Sequence, residues 1–212
     1  MNPIKRLYIA TVGVTTVMAI FNASSALALE STALCQGNEL ECMPGNTYPA
    51  FTPVKASAVN LTFKSALGTI ECKKSNLEGE TLQSLANPLT VDLKAFTFEE
   101  CKLGQVACAL TTLVLGKLDF LKTGHNVGSG TFLGTAVNIK CGSLVNCSYA
   151  GWPVLALRGT GGKGGEEESK LEAEAEANEL ELSESKGFLC PAVPKWTVNY
   201  LFSEPNPMYI TK

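Results

Sequence analysis

The chain has few of the residues on which catalysis and nucleic-acid binding usually rest. Among its 212 residues there is one histidine, His125, and there are two aspartates, Asp92 and Asp119. The tryptophans are Trp152 and Trp196, the arginines Arg6 and Arg158, and the net charge is −3. Phosphate binding needs clustered basic side chains, so nucleic acid is not an expected partner. No C-x-x-C pair occurs and the lone His125 has no second imidazole to join it, which argues against zinc. No D-x-D-x-D-G loop occurs either, and a row of glutamates along an extended segment spreads its oxygens instead of converging them on calcium. Ser129 in "VGSGT", His125 and one of the aspartates make a catalytic triad arithmetically possible, but "VGSGT" is not G-x-S-x-G. Two tryptophans leave little for a sugar platform. The expectation is therefore no enzyme, no catalytic residue, no metal and no cofactor.

Long amphipathic helices and late apolar runs are also missing. Beyond residue 28 no stretch is long and apolar enough to span a bilayer. "LEGETLQSLANP" (77–88) is the best short helix candidate, one or two turns ending before Pro88, and reads equally as a loop between two strands.

What is present begins with an export pattern. Lys5 and Arg6 precede the apolar run "LYIATVGVTTVMAIF" (7–21), and "ALA" (26–28) fits a small-x-small cleavage site. The reading is a secretory signal peptide over 1–28, a single domain over 29–212, and no transmembrane anchor after cleavage. All eight cysteines follow the signal: Cys35, Cys42, Cys72, Cys101, Cys108, Cys141, Cys147 and Cys190. An even number behind an export signal reads as disulfides. Short loops favour Cys35–Cys42 and Cys141–Cys147. The other four then pair as Cys72–Cys101 with Cys108–Cys190, or as Cys101–Cys108 with Cys72–Cys190.

The rest is written in short runs of period two. "VNLTF" (59–63), "GTIEC" (68–72), "LTVDLKAFTF" (89–98), "CALTTLVL" (108–115), "KLDFL" (117–121), "TFLGTAVNIKC" (131–141), "WPVLALR" (152–158), "KWTVNYLF" (195–202) and "MYIT" (208–211) alternate or are rich in β-branched and aromatic residues. Glycine, proline, asparagine and serine separate them. This predicts an all-β fold, mainly an antiparallel β-sandwich or barrel-like sheet braced by disulfides.

One stretch resists that frame: "LALRGTGGKGGEEESKLEAEAEANELELSES" (155–185). Gly159, Gly161 and Gly164 spell G-x-G-x-x-G after a strand-like run, and Glu181 and Glu184 lie where a dinucleotide's ribose partner is expected. Electrostatics oppose that reading. Glu166, Glu167 and Glu168 would stand where the pyrophosphate must sit on a helix start. Leu171, Ala173, Ala175 and Ala177 fall two apart, a strand period that spreads around a helix. The segment reads better as a glycine loop followed by a charged edge strand, with a phase slip at Asn178 marking a bulge. Glu and Ala also favour helix, which is the alternative for this segment.

The cysteine-bearing motifs "TALCQGNELEC" with "NTYPA", "LGTIEC", "FTFEEC", "CGSLVNCSY" and "CPAVPKWTVNY" are similar to those of a group of secreted, cysteine-containing actinobacterial proteins. That resemblance implies a β-rich domain and carries over no activity or functional residue. The functional expectation is an exported, non-catalytic protein of the extracellular space or cell envelope. Its role would be structural, adhesive or scaffolding, with an unknown protein or envelope component as partner and self-association possible. The alternatives are a ligand-binding or inhibitor sandwich, a filament subunit and a secreted hydrolase.

Overall fold

The computed structural model describes residues 31–151, 153–160, 170–187, 189–192 and 194–211. The signal peptide read over 1–28 lies outside them, as do Trp152 and positions 161–169 of the glycine segment.

Every element among the described residues is a strand: β1 (Thr32–Cys35), β2 (Pro53–Ser65), β3 (Gly68–Thr81), β4 (Leu85–Ala86), β5 (Leu89–Leu103), β6 (Val106–Val114), β7 (Lys117–Gly124), β8 (Val127–Leu133), β9 (Ala136–Cys141), β10 (Val145–Ala150), β11 (Val154–Thr160), β12 (Lys170–Glu179), β13 (Glu181–Ser185), β14 (Lys195–Glu204) and β15 (Tyr209–Thr211). The all-β expectation holds. The short helix that is one of two readings for 77–88 does not form. Leu77–Thr81 finishes β3, Leu85–Ala86 is β4, and a cis Asn87–Pro88 bond follows. Leu77 and Thr81 are needed on the inner face of a strand already paired with β2 and β5, and tertiary pairing overrides a weak local helix preference.

Eight antiparallel strands close into a barrel in the order β5, β3, β2, β14, β12, β11, β8, β7, with β7 returning to the first half of β5. Closure leaves no open edge among the eight barrel strands. The outward positions carry Lys55, Glu78, Glu80, Lys94, Glu172 and Glu174, a surface for water and not for lipid. Three-stranded β15–β1–β4 caps the end of the barrel where β7 turns into β8. Backbone Lys122 N–H donates to Thr32 Oγ1 there, and Ile210 N–H donates to Asn126 Oδ1.

The longest strands do not end at the barrel. The second half of β5 leaves β7 and pairs with β6, and β6 continues to β9, β10 and β13. β13 prolongs β12 past Leu180, and its start meets the approach to β14: Leu180 N–H donates to the Pro194 carbonyl and Leu182 N–H to that of Ala192. The chain so builds a second lobe on the same wall of β2, β3 and β5.

A line of breaks in the inside–outside alternation separates the lobes. Val59 and Asn60 are both exposed on β2, Lys73 and Lys74 on β3, and Glu99 and Glu100 on β5, each interrupting strict alternation at the same level of the sheet. Asn60 and Glu100 adopt positive φ, 56° and 49°. On β12 the register shifts between Ala175 and Asn178, where the sequence predicts a bulge. A bulge resets which side chains face inward, so each long strand keeps a buried face in both lobes.

β12 is not an edge. It lies between β11 and β14, with Glu172 and Glu174 outward and Ala173 and Ala175 fully buried. The alternation that suggested a charged edge is that of a barrel wall with one wet face. Alanine suits its inner side because Phe120, Phe132, Tyr200 and Phe202 fill the interior.

Candidate functional site

The cysteines are the most ordered functional feature. Cys72 lies opposite Cys101, Cys101 opposite Cys108 and Cys108 opposite Cys141, one row across β3, β5, β6 and β9. The bonds are Cys72–Cys101 and Cys108–Cys141, with Cα–Cα distances of 3.9 and 4.2 Å. Cys35–Cys42 and Cys147–Cys190 complete the set, and no cysteine is free. Cys35–Cys42 matches the sequence reading, as does Cys72–Cys101 in one of its alternatives. The other expected bonds, Cys141–Cys147, Cys108–Cys190, Cys101–Cys108 and Cys72–Cys190, are replaced.

Strand geometry explains the replacements. Cys147 faces Ile139 and Cys141 faces Val145, so Cys141 and Cys147 are two residues out of step on neighbouring strands. Such diagonal neighbours are ~7–8 Å apart, beyond easy bridging. Opposed residues in an antiparallel pair alternate between close, non-hydrogen-bonded sites and wider, hydrogen-bonded ones. The short Cα separations place Cys72–Cys101 and Cys108–Cys141 at close sites. Cys101 and Cys108 must then turn their backbone groups toward each other, which is the wider kind of site. An unbroken row of four cysteines therefore bonds in alternate gaps. Four intrachain disulfides and no free thiol are the chemistry of an oxidising compartment.

The glycine motif has a structural explanation at its first member. Gly159 N–H donates to the Asn126 carbonyl at 2.9 Å, and the Asn126 carboxamide lies where a Cβ on residue 159 would be. Asn126 is buried, holds φ at 52° and accepts from Ile210 N–H, tying the β7–β8 turn to β11 and to the cap. Gly159 is glycine because Asn126 needs the space. Gly161 and Gly164 lie outside the described residues.

The triad candidates do not assemble. His125 is exposed in the β7–β8 turn beside Arg158 and Asn38, in an open groove. Ser129 sits in β8 opposite Leu121 and Ala156. Asp119 accepts from Thr90 Oγ1 at 2.7 Å and Asp92 from Lys94 Nζ at 2.6 Å. Nothing among the described residues groups three or more metal-ligating side chains.

Two buried phenols show how polar groups are settled inside. Tyr200 is fully buried against Ser75 at 2.7 Å, and Ser75 Oγ donates its single proton to the Thr97 carbonyl. Tyr200 therefore donates to Ser75. Burial raises its pKa above the ordinary tyrosine value, partly offset by the Ser75 bond. Tyr149 donates to the Pro191 carbonyl at 3.0 Å, and burial pushes it up to about 12.

Trp196 is not settled in this way. It is 3 % exposed and stands among Phe63, Phe96, Phe132 and Tyr200, with ring centroids 5.8–6.5 Å away. Its Nε1 is buried without an acceptor. It lines a cavity of ≈ 30 Å³ at the seam between the lobes. A second cavity of ≈ 20 Å³ lies deeper in the second lobe, and Phe63 and Tyr149 line both. The sequence does not show the cavities, although the spacing of Trp196, Val198, Tyr200 and Phe202 already marks one largely aromatic face.

No protein-family model, curated protein or solved structure matches the chain.

Proposed function

We propose that this is an exported, disulfide-braced protein of the extracellular space or cell envelope with a non-catalytic structural, adhesive or scaffold role. The observation that carries the reading is the combination of a closed, filled barrel with four disulfides and no free thiol. An eight-stranded barrel is either filled by side chains or holds one small ligand, and large side chains fill this one, which supports a role other than a ligand cup. The scattered placement of His125, Ser129, Asp92 and Asp119 supports a non-catalytic role over a hydrolase. Closure of the main sheet through β5 and β7 favours surface-to-surface association over a filament joined strand to strand. The resemblance of the cysteine motifs to secreted actinobacterial proteins points the same way.

The test is fractionation of an actinobacterial host expressing the tagged full chain, with free thiols counted in each fraction. The expected result is a shortened, thiol-free protein outside the cytoplasmic membrane. A full-length chain in the cytosol with titratable thiols would overturn the reading. Light scattering of the exported protein across concentration then reads its assembly state. Growth into large assemblies would restore the filament.

A further inference from the structure

Three hairpin tips close one end of the second lobe. β2 turns into β3 through residues 66–67, β5 into β6 through 104–105, and β9 into β10 through 142–144. The register sets the tips side by side: Ile70 pairs with Leu103, Leu103 with Val106 and Cys108 with Cys141. They are also close in space. A Cβ added at Gly68 would stand 3.2 Å from Leu103 Cδ1, and one at Gly142 3.5 Å from Val106 Cγ1. Turns usually carry glycine, proline, asparagine, aspartate or serine, which suit solvent. Here every tip also presents a branched aliphatic: Leu67 is 39 %, Val106 47 % and Leu144 54 % exposed. Single exposed aliphatics are ordinary on a protein surface. Three on adjoining tips of one end form a patch.

Lysines stand directly behind that patch. Lys64 precedes the first tip, Lys102 the second and Lys140 the third, and all are exposed. Leu67, Leu103 and Lys102 line one open groove together with Glu71. Lys195 on β14 pairs with Lys64. Lys186 N–H donates to the carbonyl of Asn146, the residue paired with Lys140. The acids at this level are Glu71 opposite Lys102, Glu179 opposite Lys195, and Glu184 bonded to Lys186. Glu100, further back, is bonded to Lys73. Five lysines therefore stand against three acids at this level, whereas the chain as a whole is net −3. Like charges directly across a strand pair repel. An anionic surface relieves that cost at Lys64 and Lys195.

We propose that these three tips rest in the surface of an anionic lipid membrane. Leu67, Val106 and Leu144 enter the boundary between headgroups and acyl chains, and Lys64, Lys102 and Lys140 reach the lipid phosphates. A planar partner with an apolar interior and a negative surface matches this arrangement. The long lysine stems lie along it while their ammonium groups stay at headgroup level. The contact is shallow, because the turn backbones still need water or headgroups for their polar groups. The site rests on the adhesive form of the role proposed above. The two fail separately, since lipid binding is read on purified protein whatever compartment it comes from.

The experiment is co-sedimentation of the purified, oxidised protein with vesicles of phosphatidylglycerol and phosphatidylcholine in equal parts, beside vesicles of phosphatidylcholine alone. The expected result is saturable binding to the mixed vesicles, roughly tenfold tighter than to the neutral ones and weakened by salt. Leu144→Ser is expected to weaken binding about tenfold. Lys102→Gln and Lys140→Gln are each expected to weaken it about fivefold, on mixed vesicles only. These side chains are exposed, and near-ultraviolet circular dichroism checks that the variants keep the fold. Variants and wild type share one N-terminus, so any lipid affinity of the apolar run 7–21 cancels. A spin-labelled lipid should broaden the methyl resonances of Leu67, Val106 and Leu144. It should spare the exposed Leu85 in the cap and Val154 on the barrel wall. No binding to mixed vesicles would overturn the proposal. So would equal binding by wild type and Leu144→Ser, or broadening at the cap instead of the tips. Loss of a lipid-free oligomer in Leu144→Ser, with vesicle binding unchanged, would overturn it by assigning the tips to contacts between copies.

Discussion

The barrel under the cap and the lobe beyond the bulges share β2, β3 and β5, yet they are held together by different means. The barrel is packed. Phe120 and Phe202 meet edge to face at 5.7 Å, and Leu89, Leu118, Leu155 and Leu157 are fully buried around them. Gly79, Gly128 and Gly130 face inward, where an added Cβ would press on Val91, Ile210 or Leu157. No disulfide crosses the barrel interior. The second lobe holds both small apolar cavities, the unsatisfied indole and three of the four disulfides. β6 pairs with β5 over only three positions. Where packing is incomplete and the ladder is short, covalent links restrict the unfolded chain instead. A filled interior and a stapled interior are thus two solutions on one continuous wall.

The sharpest way to break the contrast is to damage the packed side. Phe120→Ala removes a fully buried ring from the barrel and should cost about 3–5 kcal/mol in urea unfolding. A loss below about 1 kcal/mol would mean that the barrel is not the stability core.

The complementary change is Cys108→Ala with Cys141→Ala. It should cost about 2–4 kcal/mol. Hydrogen exchange should then speed up in β6, β9 and β10 while β7, β8 and β11 stay protected. Uniform loss of protection would show that the two lobes unfold as one unit.

A third change sharpens the boundary at the cap. Gly159→Ala should cost about 1–3 kcal/mol, because its methyl displaces the Asn126 carboxamide from Ile210. Adding Asn126→Gly should recover part of that loss, since glycine keeps the positive φ and clears the space. If the second substitution only adds to the damage, the steric account of Gly159 fails.

The smallest effect is at high pH. Tyr149 and Tyr200 have raised folded-state pKa values, so the folded protein holds protons that the unfolded chain releases above about pH 10. Their contribution is complete below that pH. It falls as pH rises through about 12, where Tyr149 ionises. Ultraviolet titration should show these phenols ionising only as the fold is lost. All phenols titrating together near pH 10 in an intact protein would contradict the burial of both.

Much of this was legible beforehand because alternation is local. Period-two patterning follows from the strand itself, so most strands and the inner faces of β5 and β14 could be read from residue order. The bulge near Asn178 was visible as a phase slip. The breaks in alternation at Asn60 and Glu100 leave only a faint trace in residue order, the paired exposed residues of "VN" and "EE". The triad candidates looked possible only because sequence counts residues without placing them. The stretch 77–88 looked helical because local propensity cannot weigh the partners that β3 meets across the sheet.

By itself the sequence determined the all-β class, the oxidised cysteines and the wet and dry faces of each strand, since side-chain chemistry and a two-residue period decide these. Tertiary structure decided which strands became neighbours, and with that the rest. It put β12 inside a wall instead of at an edge, aligned four cysteines so that only alternate gaps close, and gave Gly159 to Asn126. It also left Trp196 Nε1 without an acceptor beside a small cavity. Each of these depends on the register between strands far apart in the chain, and register is fixed only when the whole sheet closes.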